Sequence, residues 1–189
     1  MNTSSTEEKV KRIKQSFRLY MNGETAASLR EKGLHYKICW GVSMQHLQEM
    51  AAENGKDRDV AEELWKSEVR ECKLLAILTY PPEQFSEQTA DRWLTSIDNQ
   101  ELAEQLVFHI LSKVSYSKPL ALRLLQSGNK FHLLCAFNLL GRLFMKQISL
   151  ADEDVTLYRK RAEECLSGND LALKHAVTNS LMKFEEYSN

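Results

Sequence analysis

Apolar side chains recur three and four positions apart along most of the chain, the spacing that gathers them on one face of an α-helix. In EEKVKRIKQSFRLYM, Val10, Ile13, Phe17 and Tyr20 share such a face, behind Ser5 or Thr6 as the starting cap. A short helix is expected over about 26–31, closed by Gly33. Ser43 then caps MQHLQEMAAEN, with Met44, Leu47, Met50 and Ala51 turned inward. From there the helices come in pairs: 58–66 with 68–80, 86–95 with 99–113, 118–126 with 130–146, and 152–166 with 171–187. Pro81 and Pro82 close the first pair, Gly128 sits in the turn of the third, and Ser167, Gly168 and Asn169 separate the last two helices. Val/Ile/Thr alternation is nearly absent, so no segment reads as a strand.

Pair starts recur every ~30 residues, somewhat shorter than the HEAT and armadillo periods. Short connections make neighbouring helices antiparallel, and stacked pairs build an all-α, right-handed superhelix of the HEAT-like or ARM-like kind, with a concave face. The second helix of each pair is the more apolar. Leu74, Leu75, Ala76, Leu78 and Tyr80 belong to one, and Leu102, Leu106, Val107, Ile110 and Leu111 to the next. Leu133, Leu134, Ala136, Leu139, Leu140, Leu143 and Phe144 belong to the third. Apolar residues on more than one face suit a helix sandwiched between neighbours. No linker or low-complexity segment divides the pattern, so one domain over 1–189 is expected, with N-terminal helices over 6–54 and helix pairs over 57–187.

The composition narrows the function classes. A chain of 189 residues with 43% hydrophobic and 27% charged content is neither disordered nor membrane-embedded. Its start, MNTSSTEEKVKRIKQ, mixes acidic and basic residues and lacks the apolar core of a secretory signal, which implies a cytoplasmic protein. Cys39, Cys72, Cys135 and Cys165 are widely separated, with no CxxC pair and no Cys/His cluster, so buried reduced thiols are expected, with no metal. There is no Gly-rich phosphate loop, HExxH pair or GxSxG elbow, and no cofactor is expected. The net charge of −1 lacks the basic excess usual in nucleic-acid binders, so any DNA contact must come from local asymmetry.

Several stretches, in order, resemble the AlkD-like family of DNA alkylation repair proteins. Gly41-Val42-Ser43-Met44-Gln45-His46-Leu47 is similar to the family's entry into its first core helix. LWKSEVRECKLLAIL, from Leu64 to Leu78, resembles its Leu-Trp, helix turn, Glu and long apolar helix. RWLTSIDNQELAEQL, from Arg92 to Leu106, resembles its Trp-containing helix end followed by an Asp, and DLALKHAVTNSL resembles its closing helix. The resemblance covers most of the chain from about Gly41 onward. It implies duplex DNA held on the concave face, and an activity that releases N3- or N7-alkylated purines. Such a base is already a good leaving group, so a carboxylate next to the deoxyribose would stabilise the developing oxocarbenium charge and orient water. Aromatic rings beside the sugar and an Arg on the phosphate would hold the geometry.

Asp98 is the position that matches the family's catalytic carboxylate. The residues themselves offer a second reading, because Asp98-Asn99-Gln100-Glu101 is also an Asp-x-x-Glu capping box for the helix that follows. Trp93 matches a family Trp near the site, or serves as a core anchor. The adjoining sugar-packing aromatic falls at Leu94, the phosphate-binding Arg at Leu133 or Leu134, and the second aromatic at Asn179. Lys130 and His132 would substitute in part for the Arg, although Lys lacks its bidentate fork. Arg142 and Lys146, four apart on one helix, are further candidates for phosphate contact. Glu71 is read as the far side of a Ser67 cap. Only the carboxylate of four family site positions is retained, so the expectation is a DNA-binding protein with excision weak or lost. Two alternatives are an active glycosylase relying on Asp98 and a helical scaffold for a protein partner.

Overall fold

The computed structural model describes residues 3–187, which form two compact units, one up to Phe85 and one from Ser86. Among the described residues there is no strand, only an isolated bridge between Ile38 and Val69. No helix among them is long and apolar enough to cross a membrane.

The first unit comprises α1 (Thr3–Ser16), α2 (Gly23–Glu31), α3 (Met44–Asn54), α4 (Arg58–Trp65) and α5 (Arg70–Thr79), with short 3-10 turns at Phe17–Leu19 and Pro82–Gln84. Side chains satisfy the free N–H groups at three helix starts: Asn22 accepts from Thr25, Ser43 from His46, and Asp57 from Val60. α5 packs against both α3 and α4, and α4 against α1. That sandwiching explains its composition. Nine of its ten residues are buried, including the charged Arg70 and Glu71.

The start of α5 departs from expectation. Val69 stands at the cap position with no side-chain bond, and Glu71 does not serve a Ser67 cap. Its carboxylate instead reaches the loop before α3, accepting backbone N–H groups from Trp40 (3.1 Å), Gly41 (3.0 Å) and Val42 (3.3 Å). Arg70 Nη1 completes the knot, donating to the same carboxylate at 3.3 Å and to the Val42 carbonyl at 2.9 Å. Gly41 adopts φ +72°, which lets consecutive N–H groups converge on one anion.

The second unit comprises α6 (Glu87–Leu94), α7 (Gln100–His109), α8 (Ser117–Leu125), α9 (Lys130–Met145), α10 (Asp152–Ser167) and α11 (Leu171–Tyr187). α9 packs on α7, α8 and α11, while α10 packs on α8 and α11. This gives two layers of paired helices with α9 at the centre. Ten of its sixteen residues are buried, among them Phe137, Leu140 and Phe144. α11 passes close to Gly141, where an added Cβ would lie in ordinary contact, 3.5 Å from the Ser180 Cα. Tyr158, from α10, donates to the buried Ser180 hydroxyl at 3.0 Å and contacts the rings of Phe137, Phe144 and Phe184.

The expected helix over 99–113 ends early. α7 stops at His109, Ile110 turns to φ −124°, and a 3-10 turn covers Leu111–Lys113. No Gly or Pro marks the break. The Ser112 carbonyl finds its partner across the unit, in the Lys146 ammonium at the end of α9. All four cysteines are free thiols: Cys72, Cys135 and Cys165 are buried, and Cys39 is half-buried. Burial pushes the Cys135 thiol up to about 12.

Candidate functional site

Asp98 lies in the turn joining α6 to α7, and its side chain is exposed. It does not cap α7. Asn99 does, through Oδ1 accepting the Leu102 N–H at 3.0 Å, while its Nδ2 donates to Asp98 Oδ1 at 2.9 Å. The cap is therefore displaced by one residue, which puts Leu102 rather than Glu101 at the third helical position. Asn99 is 5% exposed. A neutral amide tolerates that depth, whereas an ionised carboxylate would need a compensating charge. The result is a carboxylate held at the surface by its neighbour and free of helix-start duty. Replacing Asn99 by Ala is expected to cost about 1 kcal/mol, whereas Asp98→Ala should change stability by less than about 0.5 kcal/mol, as read by denaturant midpoints. The signal for Asn99 was present in the sequence, since Asn caps as well as Asp; local pattern alone did not decide between them.

Trp93, five positions earlier in α6, is fully buried. It offers no surface to a ligand and acts as the core anchor of that helix end. Leu94 is also buried, and its carbonyl faces His132 Nε2 at 3.4 Å. The other ring nitrogen of His132 pairs with the Ser127 hydroxyl at 3.0 Å. Both nitrogens are thus engaged in tying the start of α9 to the α6–α7 turn. Lys130, exposed at the first turn of α9, pairs with Asp170 Oδ2 at 3.2 Å and lies 4.9 Å from the Phe131 ring centroid. Asp170 also accepts the Leu173 N–H at 3.0 Å; that bond, followed by Lys130, holds its carboxyl below the usual range.

These contacts gather the starts of α7, α9 and α11 at one end of the second unit. Asp98, Lys130 and His132 belong to that end. Arg142 and Lys146 do not, because α9 carries them twelve positions or more beyond Lys130, ~18 Å along the helix axis. Arg142 lies over the exposed Phe108, with its guanidinium carbon 4.1 Å from the ring centroid, and burial lowers its pKa. Lys146 is engaged with Ser112. The six sequence candidates therefore divide into a surface acid with two tethered bases, a buried indole, and two cations at the far end. Leu133 and Leu134, at the Arg position of the resemblance, are 7% and 3% exposed, and Asn179 is exposed. No three His, Cys, Asp or Glu side chains among the described residues group to hold a metal ion.

Residues 13–184 match the family model described as DNA alkylation repair enzyme. One solved structure is similar along 95% of this chain and 77% of its own, with a TM-score of 0.82 at 17% sequence identity; it is described as "a new family of proteins related to the HEAT-like repeat DNA glycosylases with affinity for branched DNA structures". That likeness fixes the fold as a HEAT-like helical repeat. No curated protein matches the chain significantly.

Proposed function

The chain belongs to the DNA alkylation repair enzyme family, and from that membership we propose that it binds duplex DNA on the surface carrying Asp98, with excision of alkylated purines weak or lost. The observation that carries the proposal is the isolation of Asp98. A carboxylate at the deoxyribose would stabilise an oxocarbenium ion only if sugar and phosphate were held against it. Around Asp98, Leu94 is buried where an aromatic would be needed, and the ring nitrogens of His132 are engaged in internal bonds. Lys130, the one cation at this end among the candidates, shares its charge with Asp170. The acid is available and the clamp is missing.

A structural neighbour described as having affinity for branched DNA supports DNA binding as a workable use of this fold. The near-neutral net charge predicts that binding is modest and depends strongly on salt. The test is release of N3-methyladenine and N7-methylguanine from methylated duplex DNA, alongside duplex binding at low and high salt. The expected outcome is salt-sensitive binding with release no faster than the spontaneous rate. Release that disappears in Asp98→Asn would replace this reading with that of an active glycosylase. Neither release nor binding would leave a protein-interaction scaffold.

A further inference from the structure

The first unit carries a feature that the Asp98 surface does not use. α1 and the 3-10 turn that follows it display Lys11, Lys14 and Arg18 three and four positions apart, all exposed. Among the described residues none of the three forms an ion pair. They border a groove of about 400 Å³ whose apolar wall is made by Val10, Phe17, Val69 and Trp40. Two acids also line it: Glu63, whose charge is shared with Lys66 at 2.6 Å, and Glu7. The rim is therefore net positive. Trp40 is half-buried, whereas Trp65 is 6% and Trp93 0% exposed. Its backbone is pinned on both sides, by its N–H to Glu71 and by its carbonyl accepting from Asn22 at 2.9 Å. An indole on a fixed backbone beside a row of unpaired cations is the combination that holds unpaired nucleotides: the ring stacks a base and the cations follow the phosphates.

We propose that the α1–Trp40 groove binds single-stranded DNA, such as the unpaired nucleotides at a branch or fork. The proposal deepens the DNA-binding reading and rests on it, but it places this contact in the first unit and on different residues. Duplex would not use the groove, because its bases are stacked and offer no face to Trp40.

The test uses the full chain and three probes: a short oligo(dT), a three-way junction with single-stranded arms, and a blunt duplex. Tryptophan emission is followed alongside binding. Oligo(dT) and the junction should quench emission, since Trp40 is the half-exposed indole, and the blunt duplex should not. Trp40→Leu should abolish the quench and weaken oligo(dT) binding about tenfold or more, the effect of losing one stacked base. Trp40→Phe should recover most of that affinity. Lys14→Glu with Arg18→Glu should weaken oligo(dT) binding and lower its salt slope by about two. Thermal melts report folding of each variant. Oligo(dT) binding that is unchanged in a folded Trp40→Leu protein would overturn the proposal. So would equal quenching by the blunt duplex, or quenching by polyglutamate with none by oligo(dT), which would mark an acidic-peptide groove. Blunt-duplex binding reports separately on the Asp98 surface. Its loss together with intact, Trp40-dependent oligo(dT) binding would sink that reading and leave this one standing.

Discussion

Glu71→Ala is expected to destabilise the protein by about 3–5 kcal/mol, the cost of removing one partner from a buried ion pair. Glu71 is 0% exposed and Arg70 3%, so neither group has water to fall back on. Truncation would remove the Glu71 charge from beside the Arg70 guanidinium, and would take the acceptor from the N–H groups of Trp40, Gly41 and Val42 together. A chain of this size loses roughly 2–4 °C of Tm per kcal/mol. A drop on the order of 10 °C in a calorimetric or circular-dichroism melt is therefore expected. Glu71→Gln keeps one acceptor oxygen and should lose clearly less. A melt of Glu71→Ala within 2 °C, roughly, of the parent would show that the knot contributes little.

Gly41→Ala should be comparably severe, for a separate reason. At φ +72° an alanine is strained by about 1–2 kcal/mol before any contact is considered. Its Cβ would then stand 2.0 Å from the Asn22 carbonyl oxygen and 2.8 Å from the Ala26 nitrogen. Both are backbone atoms, and they bond to each other at 3.1 Å in the first turn of α2. Relief requires moving either α2 or the loop that serves Glu71, so about 3 kcal/mol or more is expected. Because both routes pass through the same knot, Gly41→Ala combined with Glu71→Ala should cost less than the two separate losses added. Strict additivity in urea titrations would mean that the two residues act independently.

Much of the architecture was legible because helix periodicity is a local property. The span from Met44 to Asn54 behind Ser43, and the paired helices from Arg58 onward, follow from apolar spacing and caps that lie within a few residues of one another. The errors fall where a residue answers to something distant. Glu71 looked like half of a local cap, but the backbone N–H groups it accepts from lie 29 to 31 positions away. The helix over 99–113 carried no breaker, and the carbonyl freed at Ser112 is satisfied by a lysine 34 positions on. At the α7 start, Asp98 and Asn99 were equally good caps, and burial, which no local pattern reports, decided for Asn99. The candidate site was legible as a set of residue types and not as a geometry. Nothing near Lys130 announces Asp170, 40 positions later, and nothing near Trp93 announces complete burial.

The position of α9 has a consequence for how the second unit moves. Wetting its apolar surface means parting α7, α8 and α11 at once, so there is no inexpensive partial opening that starts from this helix. Nor can α10 lift alone from α8 and α11 while the centre stays dry, because its Tyr158 is buried against Phe137 and Phe144 of α9. The Lys130 end therefore belongs to the least yielding helix of the unit, and the segment carrying Asp98 is tied to that end through His132 and the Leu94 carbonyl, so a ligand arriving there is expected to meet a rigid wall and to adapt to it.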